Sequence, residues 1–121
     1  MAQTALKQAA AKMDDETVAA IDREHLARMT FGECSLQREL LELFDRQATT
    51  LLARLREGAP AAALAHTLKG SATGIGAWDV ARAARALEEA RSPAERGLAL
   101  DDLSAAVGAV RAEIPGLLMA A

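Results

Sequence analysis

The stretch His66-Thr-Leu-Lys69-Gly70-Ser71-Ala72 sets a nucleophile, a cation and a gap in the side-chain surface within about one helical turn of each other. An unperturbed histidine is largely neutral near neutral pH and keeps a nucleophilic ring nitrogen, which can attack an acyl phosphate. Lys69, at i+3, can pair its flexible ammonium with phosphoryl oxygens. Gly70, at i+4, costs about 1 kcal/mol of helix propensity against alanine, and it leaves no side chain beside the imidazole, so a partner's reactive centre can come close. Each residue also has a plainer reading: a satisfied surface histidine, a solvated lysine, incidental flexibility. Their coincidence favours phosphoryl transfer through His66. Thr73 can frame the same surface, whereas Ser71 falls nearer the core edge and can bond locally to backbone.

Other chemistries fare worse. His25 shares the residue type without the lysine and glycine setting, and no paired helical motif gathers it with His66 and acidic ligands into a metal site. Cys34 is the single cysteine, which excludes an intramolecular disulfide framework and reads as a structural residue near a helix cap. Gly74-Ile-Gly76 is too short for a dinucleotide loop and more naturally ends a helix. There is neither a Walker sequence nor a kinase glycine loop, so autonomous ATP-dependent phosphorylation is not expected. A net charge of -3 supplies no global basic field for nucleic acid, and two phenylalanines and Trp78 act as packing handles rather than a base-stacking platform.

The elements that must hold His66 are helices. Thirty alanines and seventeen leucines stand against seven valines and isoleucines in 121 residues, a balance that favours helix over sheet and one modest core rather than two. Residues 1–13 lack a core stripe and read as a flexible extension, with the domain over 14–121. Asp14 or Asp15 can cap a first helix running to about Thr30, with a break at Asp22 allowed by the five-residue step from Ile21 to Leu26. Ser35 can cap a long amphipathic helix over 36–57 that buries Leu36, Leu40, Leu43, Phe44, Leu51, Leu52 and Leu55.

Pro60 suits the first turn of a third helix running to Thr73 or Gly74. At about 100° per residue, its Ala61, Leu64, Ala65, Leu68, Ala72 and Ile75 share one side, with His66, Lys69, Gly70 and Thr73 roughly opposite. A fourth helix over 77–91 buries Val80, Ala83, Ala84 and Leu87 and turns arginines outward. Ser92-Pro-Ala-Glu95 forms a capping box for a last helix to about 118, which Gly97 can interrupt and Pro115 should kink or narrow. The expected fold is all-α, an antiparallel four-helix bundle with an additional N-terminal helix. No apolar run approaches the roughly 20 residues that span a bilayer, and no basic leader precedes a hydrophobic stretch, so the expectation is a cytoplasmic chain with no membrane partner.

The stretch His66-Thr67-Leu68-Lys69-Gly70-Ser71-Ala72, with Gly76-Ala77, Leu87-Glu88, Ile21-Asp22 and Leu40-Leu41-Glu42-Leu43-Phe44, resembles the histidine-containing phosphotransfer domain family over roughly residues 20–115. The resemblance implies a phosphorelay intermediate that carries a phosphoryl group on His66 and exchanges it with an aspartate of a response-regulator receiver domain. It makes Lys69 the positive neighbour and Gly70 the small residue that admits the receiver. Glu88 falls where it can hold the ring nitrogen not used in transfer, or else pair with Arg85 or Arg91. Arg82 and Arg85 can face an acidic receiver or the phosphate, or serve only as surface charge. No cofactor is expected on this chain, magnesium being supplied by the receiver. A hybrid histidine kinase is a further expected partner, and the chain is expected to act as a monomer. The competing reading is a noncatalytic helical adaptor that binds a receiver or histidine kinase without transfer.

Overall fold

The computed structural model describes residues 19–120. The extension over 1–13, the domain start at 14 and the caps assigned to Asp14 or Asp15 lie outside them. The described residues form α1 (Arg23–Met29), α2 (Cys34–Arg56), α3 (Ala61–Ile75), α4 (Trp78–Glu89) and α5 (Pro93–Ala120), with no strand among them. Helices α2 to α5 pack in a ring, each against the next and α5 back against α2, while α1 lies on α3. The fold is therefore the all-α bundle with an extra N-terminal helix.

One apolar core runs through the ring, with Leu41, Phe44, Leu68, Val80, Leu103 and Val107 among its buried side chains. A leucine as fully enclosed as Leu68 contributes about 2 kcal/mol by its burial. Ala48, Ala65, Ala72 and Ala84 are also wholly buried, and their small side chains let the helices approach closely. Of the two phenylalanines expected to pack, only Phe44 does so. Phe31 sits in the α1–α2 turn with a left-handed backbone (φ 54°) and an exposed ring.

Local differences from the sequence expectations have local causes. Among the described residues the first helix starts at Arg23, at the break the sequence allows near Asp22, because extended Asp22 caps it and accepts the His25 N–H at 3.0 Å. The second starts at Cys34, so Ser35 is a helical residue and not the cap; the tight turn after α1 brings the Glu33 carbonyl into register to accept the Gln37 N–H. Ser92 does cap α5, accepting the Glu95 N–H, while the Glu95 carboxylate takes the Arg91 N–H. Gly97 does not interrupt α5, and the helix continues through Pro115 to Ala120. Pro115 is exposed, so the carbonyl its ring deprives of a donor can be met by water.

The α3–α4 connection sets the site's register. It is two residues, Gly76-Ala77, with Gly76 left-handed at φ 78°. The Gly76 carbonyl accepts the Asp22 N–H at 2.9 Å, and the Asp22 carboxylate also accepts Trp78 Nε1–H at 3.0 Å. These donors hold the Asp22 carboxyl below the usual carboxylate range, with the His25 backbone N–H the largest cause and Trp78 the next. One acidic residue thus ties the start of α1 to the turn that aims α4 back along α3.

Candidate functional site

Helix α3 presents His66, Gly70 and Thr73 to solvent and leaves Lys69 half-buried, while Ala65, Leu68, Ala72 and Ile75 are buried on its other side. The partition follows from periodicity, since residues three and four apart share a face. His66 keeps 69% of its side chain exposed. Glu88, the penultimate residue of α4, reaches across to it: Glu88 Oε2 lies 3.0 Å from His66 Nδ1, and Glu88 Oε1 accepts from Lys69 Nζ at 2.9 Å. One carboxylate therefore holds both the imidazole and the ammonium.

An ionised carboxylate only accepts hydrogen bonds, so the proton of a neutral imidazole here sits on Nδ1 and the lone pair on Nε2. Lys69 and then His66 donate to Glu88 and hold its pKa below the ordinary glutamate value against the opposing effect of desolvation. A carboxyl with a depressed pKa contributes stability above its unfolded pKa and loses that contribution as pH falls through the folded value. The Glu88 clasp is thus intact through neutral pH and opens only in acid below the usual glutamate range.

Neither arginine competes for this carboxylate. Arg85 pairs with Glu89 at 3.1 Å, Arg82 pairs with Asp79, and the Arg91 backbone bonds to Glu95. Arg82 and Arg85 line a shallow exposed face with Lys69, Thr73 and Trp78. Thr73 itself donates to the Lys69 carbonyl and makes no bond to His66. Of the site residues singled out in the sequence, Glu88 thus touches both His66 and Lys69; Thr73, Arg82 and Arg85 lie beside Lys69, and Gly70 opens toward α2.

His25 is placed differently. Its Nε2 lies 2.9 Å from the Thr73 carbonyl, and its ring meets Trp78 edge-on at 4.8 Å. Cys34 is exposed at the start of α2, away from both histidines in sequence and without a bonded partner among the described residues. No group of three or more His, Cys, Asp and Glu among those residues is arranged to hold a metal ion, and none of their helices is long and apolar enough to cross a membrane.

The sequence reading overlooked a groove beside Gly70. Leu43, assigned to the core, is instead 42% exposed, and with Met29, which is 50% exposed, it lines the groove together with Leu40, Phe44, Gln47 and Gly74. The available signal was Gln47, a polar residue at i+4 from Leu43 and i+7 from Leu40, interrupting what would otherwise be a continuous apolar stripe.

No curated protein and no solved structure matches the chain. A family model does, over residues 37–115, well over half of the sequence, and it is the model of the Hpt domain. Members of that family exchange phosphoryl groups with receiver domains and hybrid kinases and are carriers rather than ATP-dependent kinases. A four-helix ring with its added helix, and a family match spanning α2 to α5, lead to one conclusion: the chain belongs to the Hpt domain family and is a histidine-phosphotransfer intermediate of two-component signalling.

Proposed function

We propose that His66 is the phosphoryl carrier of this chain, exchanging its load with the aspartate of a response-regulator receiver domain in the cytoplasm. The observation that carries this reading is the His66–Glu88 contact, which engages the ring through Nδ1 and leaves Nε2 without a partner among the described residues on an exposed ring. Two further facts support it. His66 is the only histidine within residues 37–115, and the competing histidine, His25, has its Nε2 engaged with the Thr73 carbonyl.

In the transfer step, His66 Nε2 attacks the phosphorus of the receiver's aspartyl phosphate in line. The N–P bond forms as the bond from phosphorus to the aspartyl oxygen breaks, and the electron pair leaves with the aspartate carboxylate. The imidazole becomes cationic without losing its Nδ1 proton, and Glu88 supports that charge through the hydrogen bond already in place. Lys69 is the nearby cation for the equatorial phosphoryl oxygens, whose charge must be neutralised in such a transition state. A divalent ion would add charge neutralisation from the receiver's side. Arg82 and Arg85, exposed beside Lys69, would meet an acidic receiver by exchanging their Asp79 and Glu89 partners for its carboxylates.

The direct test is incubation of the full chain with a panel of phosphorylated receiver domains, followed by mapping of acid-labile phosphate. Label on His66 is the expected result. Label on another residue would overturn the assignment, and receiver binding without label would favour the adaptor reading.

Two substitutions test the parts. A Cβ at Gly70 meets nothing within 4 Å, so Gly70→Leu should leave the helical spectrum intact while its side chain blocks the approach of the receiver; transfer should fall about 100-fold, since displacement by roughly 1 Å can cost that much. Unchanged transfer would remove Gly70 from the docking surface. Glu88→Gln keeps an acceptor for Nδ1–H and removes the charge. Single-turnover transfer should slow about 10-fold, the rate equivalent of the roughly 1.4 kcal/mol by which a charge-assisted hydrogen bond exceeds a neutral one, and the wild-type rate should show no Glu88-dependent step between about pH 6 and 8. A rate equal to wild type would dismiss Glu88 as a supporting group.

A further inference from the structure

The groove between α2 and α3 holds about 280 Å³ and is apolar except at one place. Gly70 and Gly74 leave it open on the α3 side, where a Cβ at either would meet nothing within 4 Å. Leu40, Leu43 and Phe44 line the α2 side and Met29 closes one end. The exception is a polar pair, in which Ser71 Oγ donates to Gln47 Oε1 at 3.0 Å. That bond occupies the acceptor end of the Gln47 amide. Its Nε2–H2 donors find no acceptor among the described residues, and both side chains are half-buried.

We propose that Gln47 is a specificity-determining residue for the receiver partner, selecting receivers that present a hydrogen-bond acceptor to its Nε2–H2. The inference rests on the His66 reading above. The occupant follows from geometry. Gly70 and Gly74 are four and eight residues beyond His66 on one helix, about 6 and 12 Å along its axis, so a domain that brings an acyl phosphate onto His66 Nε2 also covers this groove. Covering it strips water from Gln47. A receiver offering a backbone carbonyl, hydroxyl or carboxylate there satisfies the donors, whereas one offering only apolar atoms leaves them buried and unpaired. That penalty separates partners by about 10-fold to 100-fold. Ser71 acts through Gln47 as a positioning residue, because its donated bond fixes which end of the amide faces the partner.

The test is the ratio of kcat/KM for transfer from several phosphorylated receiver domains to the full chain, after label on His66 of the wild type has been mapped. Gln47→Leu should lose about 10-fold or more against the preferred receiver, mainly in KM, while transfer from poor receivers holds or improves, so that the spread collapses. Gln47→Glu should turn against the preferred receiver, because an acceptor then faces an acceptor. Ser71→Ala should narrow the spread in the same direction by a smaller factor. A spread unchanged within about twofold in all three variants, or an equal loss against every receiver, would overturn the role of Gln47 while leaving His66 as carrier. Absence of label on His66 in the wild type would overturn the carrier assignment and this proposal with it.

Discussion

His66→Gln is expected to take up no measurable phosphate from any phosphorylated receiver, a loss of at least about 10³-fold in transfer, the scale on which removal of a reacting group is felt. Glutamine keeps comparable bulk and polarity but has no nucleophilic nitrogen. Because the His66 side chain is largely exposed and glutamine can still donate to its half-buried partner Glu88, the fold should hardly notice: substitutions at such positions stay within about 0.5 kcal/mol. The helical spectrum and unfolding midpoint therefore serve as the control, and phosphate incorporation as the readout. His25→Gln is the matching control, expected to retain label. Retained transfer in His66→Gln would reject the assignment outright, and loss in both variants would implicate the fold rather than the nucleophile.

The largest effect on stability is expected at Gly76. A Cβ there would lie 2.9 Å from both the Asp22 Cβ and the Asp22 carbonyl oxygen, and 3.2 Å from the Asp22 nitrogen. Backbone cannot retreat as a flexible side-chain end can. The left-handed backbone adds about 1 kcal/mol for any residue with a Cβ, so Gly76→Ala should cost about 2–4 kcal/mol in total. Gly58 isolates the two contributions: it is also left-handed, at φ 93°, but a Cβ there meets nothing within 4 Å, so Gly58→Ala should cost only the backbone share of about 1 kcal/mol. Urea unfolding followed by the single tryptophan, Trp78, reads both variants. Equal losses would show that the close approach of Asp22 is immaterial. In Gly76→Ala the displaced Asp22 would also release Trp78 and uncap α1, and a shift in native-state tryptophan emission would report it.

The two positions mark a division between local and nonlocal information. His66, Lys69, Gly70 and Thr73 were legible because a helix repeats every 3.6 residues and the leucines and alanines of α3 declare which side is buried. Val80, Ala83, Ala84 and Leu87 were legible on α4 for the same reason. The capping box at Ser92 was readable because all its partners lie within five residues. Ser35 misled because a cap depends on where the preceding turn delivers the chain, and that turn was set by α1. Leu43 misled because α2 carries apolar residues over a wider arc than one core stripe, and only the position of the glycines on α3 leaves part of that arc uncovered.

Read alone, the chain of letters determined an all-helical bundle, the outward face of α3 and the identity of the nucleophile candidate, because each depends on spacing within a single helix. The folded arrangement decided which of several surface carboxylates meets the ring. Glu88 is 22 residues from His66, with Glu89 beside it and Arg85 and Arg91 at hand. Its selection depends on a two-residue turn clasped by Asp22 and on the rotation of α4 against α3. Rotation between helices is set by side chains packing from several elements at once, and no periodicity along one of them encodes it.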